Sequence, residues 1–180
     1  MPDTATGSAS PLPKGEDVAT LALAEGHFTG PSEFAQRIRD TLAHAAQRQW
    51  NLMVWADVDF RDWPLCERQV VDALQDWSHK GRMLRLQARR FDYFPQLHPR
   101  FVAWRRQWDH IIECRVCTPV PGLELPSTLW TPDYAVLRLD VVRSTGWSGS
   151  ERQRLAQIRA ELEECARHSS PGFSATTLGL

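Results

Sequence analysis

The sequence predicts an α/β fold, a mostly parallel sheet with helices on both faces. Three observations predict it. Strand-like and helix-like segments alternate between the two ends of the chain. The run Leu52-Met53-Val54-Trp55-Ala56 is apolar without interruption, as suits a strand buried on both faces. Each strand–helix–strand step implies a right-handed crossover and parallel neighbours.

Residues 1–16 are rich in Pro, Ser, Thr and Gly and read as a flexible tail. Val18 to Ala24 is a short strand candidate, ended by Gly26. Gly30-Pro31 opens a helix, with proline where its missing N–H is not needed. Phe34, Ile38, Leu42 and Ala45 recur at helical spacing up to about Gln49. After the strand at 52–56, Asp62 and Pro64 mark a second helix. Its stripe is Trp63, Cys66, Val70, Leu74 and Trp77, and Gly81 ends it. Residues 83–88 alternate, with Leu84, Leu86 and Ala88 on one side. Pro99 starts a short helix carrying Phe101, Trp104 and Trp108. Residues 110–116 alternate again. Four prolines make 118–132 a long loop, and Tyr134 to Val142 is a strand. Ser148-x-x-Glu151 reads as a capping box for the longest helix, which runs to about His168 with Leu155, Ile158, Leu162 and Cys165 inward. Residues 17–168 are thus expected to form one domain. Residues 169–180 form a second tail, which Phe173, Leu178 and Leu180 could dock.

The chain has 180 residues, 42% hydrophobic and 24% charged, a balance that fits a globular protein and argues against disorder. No apolar run approaches the ~20 residues of a membrane span. The first 17 residues have no signal-peptide pattern, so a cytoplasmic location without membrane attachment is expected. The net charge of −1 exerts no global pull on nucleic acid. Lys14 and Lys80 are the only lysines among 21 basic residues.

Ligands of open α/β sheets sit beyond the carboxyl ends of the strands. That edge collects Asp57, Asp59, Arg61 and Asp62, then Arg89, Arg90, Asp92, Tyr93 and His98. Asp57-x-Asp59 puts two carboxylates on one side of an extended chain, which could hold Mg²⁺ for phosphoryl transfer. Arg61 and the lack of a later acidic Gly-Asp motif set it apart from the haloacid-dehalogenase phosphatases. Arg89 and Arg90, with no acid before Asp92, offer planar forks for phosphate. Residues 82–115 hold eight arginines against Asp92, Asp109 and Glu113, interleaved with aromatic residues. This pattern suits nucleic acid as well as it suits a solvated face over a Trp-rich core. Cys114-x-x-Cys117 lies on a strand whose period sends the two thiols apart, so no metal or disulfide is expected there. No cofactor motif is present.

The pieces GPSEFAQRIRDTLAHAAQRQW, NLMVWADVDF, WPLCERQVVDALQDWSHKG and RMLRLQARR give 17–168 a layout that resembles one half of a phospholipase D superfamily protein. It is most similar to single-half, degenerate bacterial members. That family's signature is H-x-K-x-x-x-x-D. Placing its last residue on Asp140 puts Asp133 in the histidine position and Ala135 in the lysine position. The resemblance therefore implies a half domain of that type without catalysis, since a carboxylate cannot act as a phosphohistidine nucleophile and alanine cannot hold phosphate. The expectation is a non-catalytic domain that binds a partner protein or a phosphate-bearing ligand, with the anion met by Arg89, Arg90, Asp57, Asp59, Tyr93 and His98. The alternatives are a Mg²⁺-dependent phosphoryl-transfer enzyme using Asp57 and Asp59, and a nucleic-acid-binding domain using the arginines of 82–115.

Overall fold

A computed structural model describes residues 22–79 and 81–174. The expected tail 1–16, Val18 to Leu21 of the expected first strand, and Leu178 and Leu180 lie outside them. The strands are β1 (Gly26–Thr29), β2 (Leu52–Asp57), β3 (Met83–Ala88), β4 (Ile112–Cys117), β5 (Ser127–Trp130), β6 (Ala135–Asp140), β7 (Thr145–Gly149) and β8 (Ser169–Pro171). The helices are α1 (Pro31–Ala45), α2 (Arg68–Trp77), α3 (Phe94–Leu97), α4 (Pro99–Gln107) and α5 (Arg152–Arg167).

The strands form one eight-stranded sheet in the order β1-β7-β6-β5-β2-β3-β4-β8. Only β2–β3 and β3–β4 pair in parallel. The other five pairings are antiparallel. The sheet is mixed and mostly antiparallel, so the expected mostly parallel sheet is corrected. The error has a local origin. Residues 127–130 form β5 inside the expected proline-rich loop, and 145–149 form β7 where a capping box was expected. Hairpins at β5–β6 and β6–β7 stand where a loop and a single strand were expected. Ser148 is a β7 residue whose hydroxyl donates to the Ala24 carbonyl, and Glu151 caps α5 without a side-chain bond. The first strand begins at Gly26 instead of ending there, and the second helix begins at Arg68 instead of Asp62.

Two cores flank the sheet. On one face α1, α2 and α4 cover Met53, Trp55, Leu84, Leu86 and Leu129. The expected stripe residues Phe34, Ile38, Leu42, Val70, Leu74 and Trp77 all lie in this core. On the other face α5 alone packs Leu155, Ile158 and Leu162 on Val54, Ala56, Trp130 and Ala135. Phe173 stacks on Phe91 with ring centroids 5.1 Å apart, which ties the chain's end to the first face. Cys114 belongs to the first core, whereas Cys117 lies near Cys165 of α5; burial pushes the thiols of Cys114 and Cys117 up to about 11. No helix is long and apolar enough to cross a membrane among the described residues.

Candidate anion-binding edge

β1, β2, β3, β4 and β6 run in one direction, so Asp57, Ala88, Cys117 and Asp140 end strands at a common edge. Within this edge the structure separates a buried ionic lock from an exposed stack.

The lock is built on Asp57, which is 3% exposed. Its Oδ1 accepts the backbone N–H of Asp59 and of Phe60 at 3.1 and 3.0 Å, which ends β2 in a tight turn. Its Oδ2 accepts from Ser127 Oγ at 2.5 Å, from Arg138 at 2.7 Å and from Trp63 Nε1 at 3.1 Å. Burial opposes ionisation of Asp57, but the Ser127 hydroxyl, the Arg138 guanidinium and the two backbone N–H groups outweigh it and hold its pKa below the usual carboxylate range. Arg138 also donates to Asp62 and to Ser127 Oγ, and its guanidinium lies 4.2 Å from the centre of the Phe34 ring. Both carboxylate oxygens of Asp57 are therefore occupied. The expected Asp57–Asp59 pair does not converge on one point, because Asp59 turns away to Arg90.

Sequence reading missed Arg138. Its signal was alternation: Val136 and Arg138 share a face of β6, and that face is the larger core. An arginine buried at such a position needs a carboxylate, and Asp57 lies one residue from the Ala56–Thr128 pairing that brings β2 and β5 together.

The exposed stack is built by the loops after β2 and β3. Asp59 Oδ2 pairs with Arg90 at 2.9 Å, and its Oδ1 accepts the N–H of Arg61. The Arg61 guanidinium lies 4.1 Å from the centre of the Tyr93 ring, and that of Arg90 lies 5.3 Å from it. Arg61 is exposed and has no ion pair among the described residues.

The other expected site residues have other roles. Arg89 donates to the carbonyls of Cys117 and Leu123, pinning the 118–126 loop, so its fork does not face a ligand. His98 is buried, and its Nε2 donates to the Phe60 carbonyl at 2.8 Å. Burial lowers its pKa and keeps it neutral near pH 7. Asp133 accepts from Trp50 Nε1 at the amino end of β6, Ala135 is buried under α5, and Asp140 pairs with Arg143 at the carboxyl end. Asp133, in the turn before β6, and Asp140 thus lie at opposite ends of that strand.

The arginines of 82–115 do not make one basic surface. Arg82 and Arg100 bond the carbonyls of Gln49 and Cys66. Arg85 and Arg115 share Glu113. Arg105 is buried between Asp109 and the Phe173 ring. Among the described residues no group of three or more His, Cys, Asp or Glu side chains is placed to hold a metal ion.

The chain matches no family model and no curated protein. It is similar to a solved structure of TrmBL2, an archaeal chromatin protein that "shows a novel mode of DNA binding", with a TM-score of 0.60 and 13% identity. The match covers 87% of this chain and 57% of TrmBL2, so this chain spans little more than half of that protein. At this identity the likeness is one of fold.

Proposed function

We propose that this domain is a non-catalytic nucleic-acid-binding module that meets a single-stranded stretch at the Arg61–Tyr93–Arg90 stack. The observation that carries the reading is Arg61. It is an exposed arginine whose guanidinium lies over the Tyr93 ring and has no carboxylate partner among the described residues. Such a group offers N–H donors to a phosphate at its rim and a planar face to a base. Arg90 adds a second cation to the same ring, partly neutralised by Asp59. The DNA binding of a structural neighbour supports the choice of nucleic acid over other phosphate-bearing ligands.

The test is fluorescence anisotropy of a labelled single-stranded oligonucleotide with the full chain. A charge-assisted contact contributes roughly 1.5–3 kcal/mol, so Arg61→Ala is expected to weaken binding about tenfold or more. Tyr93→Leu removes the ring and is expected to weaken it by a similar factor, since stacking contributes about 1–3 kcal/mol per base. Arg152→Ala, on the exposed side of α5, is expected to change little. Equal losses from Arg61→Ala and Arg152→Ala would contradict the site.

A further inference from the structure

A cavity of about 250 Å³ lies between α5 and the three neighbouring strands β5, β2 and β3. Leu52, Val54, Trp130 and Leu162 give it apolar walls. The Trp130 ring is fixed, because its Nε1 donates to the Leu155 carbonyl at 3.0 Å. Arg85, Arg159 and Glu163 stand at the rim. Gln87 also lines the cavity and is 0% exposed. Alternation along β3 puts it on the face opposite Leu84, Leu86 and Ala88, which is the α5 face.

Gln87 Nε2 donates to the carbonyl of Leu162, a wall residue, at 3.2 Å. That bond fixes the amide, since only its nitrogen can face a carbonyl, and the oxygen is the atom left over. Gln87 Oε1 is buried and accepts no hydrogen bond from any described residue. A buried acceptor in this state calls for a donor. The rim does not select an ion, because Arg85 gives its Nε to Glu113 and Arg159 gives its Nε to Glu163, both at 2.7 Å. The terminal nitrogens of these two arginines bond no described residue and remain as donors. The cavity therefore offers one acceptor at its buried floor and N–H donors at its mouth.

We propose that this cavity binds a small, neutral, planar lactam, a heterocycle of one or two rings. Its ring N–H donates to Gln87 Oε1 and its carbonyl accepts from the arginine rim. Drug-sized ligands occupy pockets of roughly 300–1,000 Å³, so this occupant is smaller. The indole wall and its aliphatic neighbours suit a flat ring. Water suits them less, because a buried water makes about three hydrogen bonds and apolar walls offer none. Oxo-pyrimidines and oxo-purines belong to this class, and the assignment is to the free heterocycle. The proposal does not rest on the nucleic-acid reading, which concerns the loops after β2 and β3.

The test is isothermal titration calorimetry of the full chain with quinolin-2-one and with coumarin. The two probes share one shape and one carbonyl, and coumarin has a ring oxygen where quinolin-2-one has its N–H. Quinolin-2-one is expected to bind at least tenfold more tightly. Gln87→Met keeps the length of the side chain and removes the acceptor, so it is expected to abolish that preference. Circular dichroism melts check that this variant folds, and the comparison of the two probes on the unaltered chain decides the matter if it does not. Arg159→Gln, at an exposed position, is expected to weaken quinolin-2-one severalfold. The proposal is overturned if quinolin-2-one does not bind, if both probes bind alike, or if a folded Gln87→Met keeps the preference. Displacement of quinolin-2-one by a single-stranded oligonucleotide would also overturn it, because the cavity would then belong to a nucleic-acid site.

Discussion

Asp57 and Arg138 show how an active-site-like residue pattern becomes a structural lock. An acidic residue at the end of an apolar strand has the chemistry of a metal ligand, and the sequence offers it as one. Its five donors show otherwise. The partner was illegible because Arg138 is 81 residues away, and a single arginine in a strand reads as solvent-facing. Removing one member leaves a buried charge alone, so Arg138→Leu is expected to cost about 3–5 kcal/mol in chemical denaturation. Replacing both, with Asp57→Asn and Arg138→Met, is expected to recover part of that loss. The lock also sets a pH dependence. The folded pKa of Asp57 is depressed, so its contribution is present above the unfolded value near ~3.9 and is lost as pH falls through the folded value. The folded pKa of His98 is also depressed, chiefly by burial. An unfolded histidine takes up its proton near ~6.5, so below that pH the unfolded chain binds more protons and stability falls. Stability measured against pH is therefore expected to drop in two stages, and His98→Gln should remove the upper one alone.

At the scale of elements, long periodic segments were legible and short strands were not. The stripes of α1 and α2, and the alternation of β3, follow from one buried face. β5 is four residues long and lies among prolines, and β7 contains two glycines, so propensity speaks against both. Packing decides instead. Gly146 sits where β7 crosses Phe28 of β1, and a Cβ there would collide with the Leu137 carbonyl and the Phe28 ring. Both backbone and core would have to move. Gly146→Ala is thus expected to destabilise by about 1–3 kcal/mol, read as a lowered melting temperature. Gly122 has a positive φ but open space around the position of a Cβ, so Gly122→Ala is expected to cost only its backbone strain, roughly 1 kcal/mol. The two missed strands turned a parallel reading into a mixed sheet, because each supplies a hairpin that the expected order lacked.

Over the whole molecule, the carboxyl edge of the sheet was the legible part of the site and the pairing within it was not. Arg90, Asp59 and Tyr93 meet there, as their loop positions suggest, while Arg89 and His98 serve the fold. The charge count over 82–115 misled because it ignored position: Arg82, Arg89 and Arg100 reach carbonyls of other segments, and Arg105 is buried, so the arginines do not share one surface. The non-catalytic part of the proposal leads to a further expectation. The protein should show no turnover of bis-p-nitrophenyl phosphate above a matched blank, and protein-dependent turnover would contradict the non-catalytic reading. The net charge of −1 makes any nucleic-acid contact local, and the proposed stack offers two cations, Arg61 and Arg90, to meet phosphates. The most direct measurement of that contact is the salt dependence of affinity for a single-stranded oligonucleotide. Two phosphate contacts give a log–log slope of about −1.4, and Arg61→Ala should reduce it to about −0.7. A slope that stays unchanged in Arg61→Ala would show that Arg61 does not meet a phosphate and would contradict the proposed site.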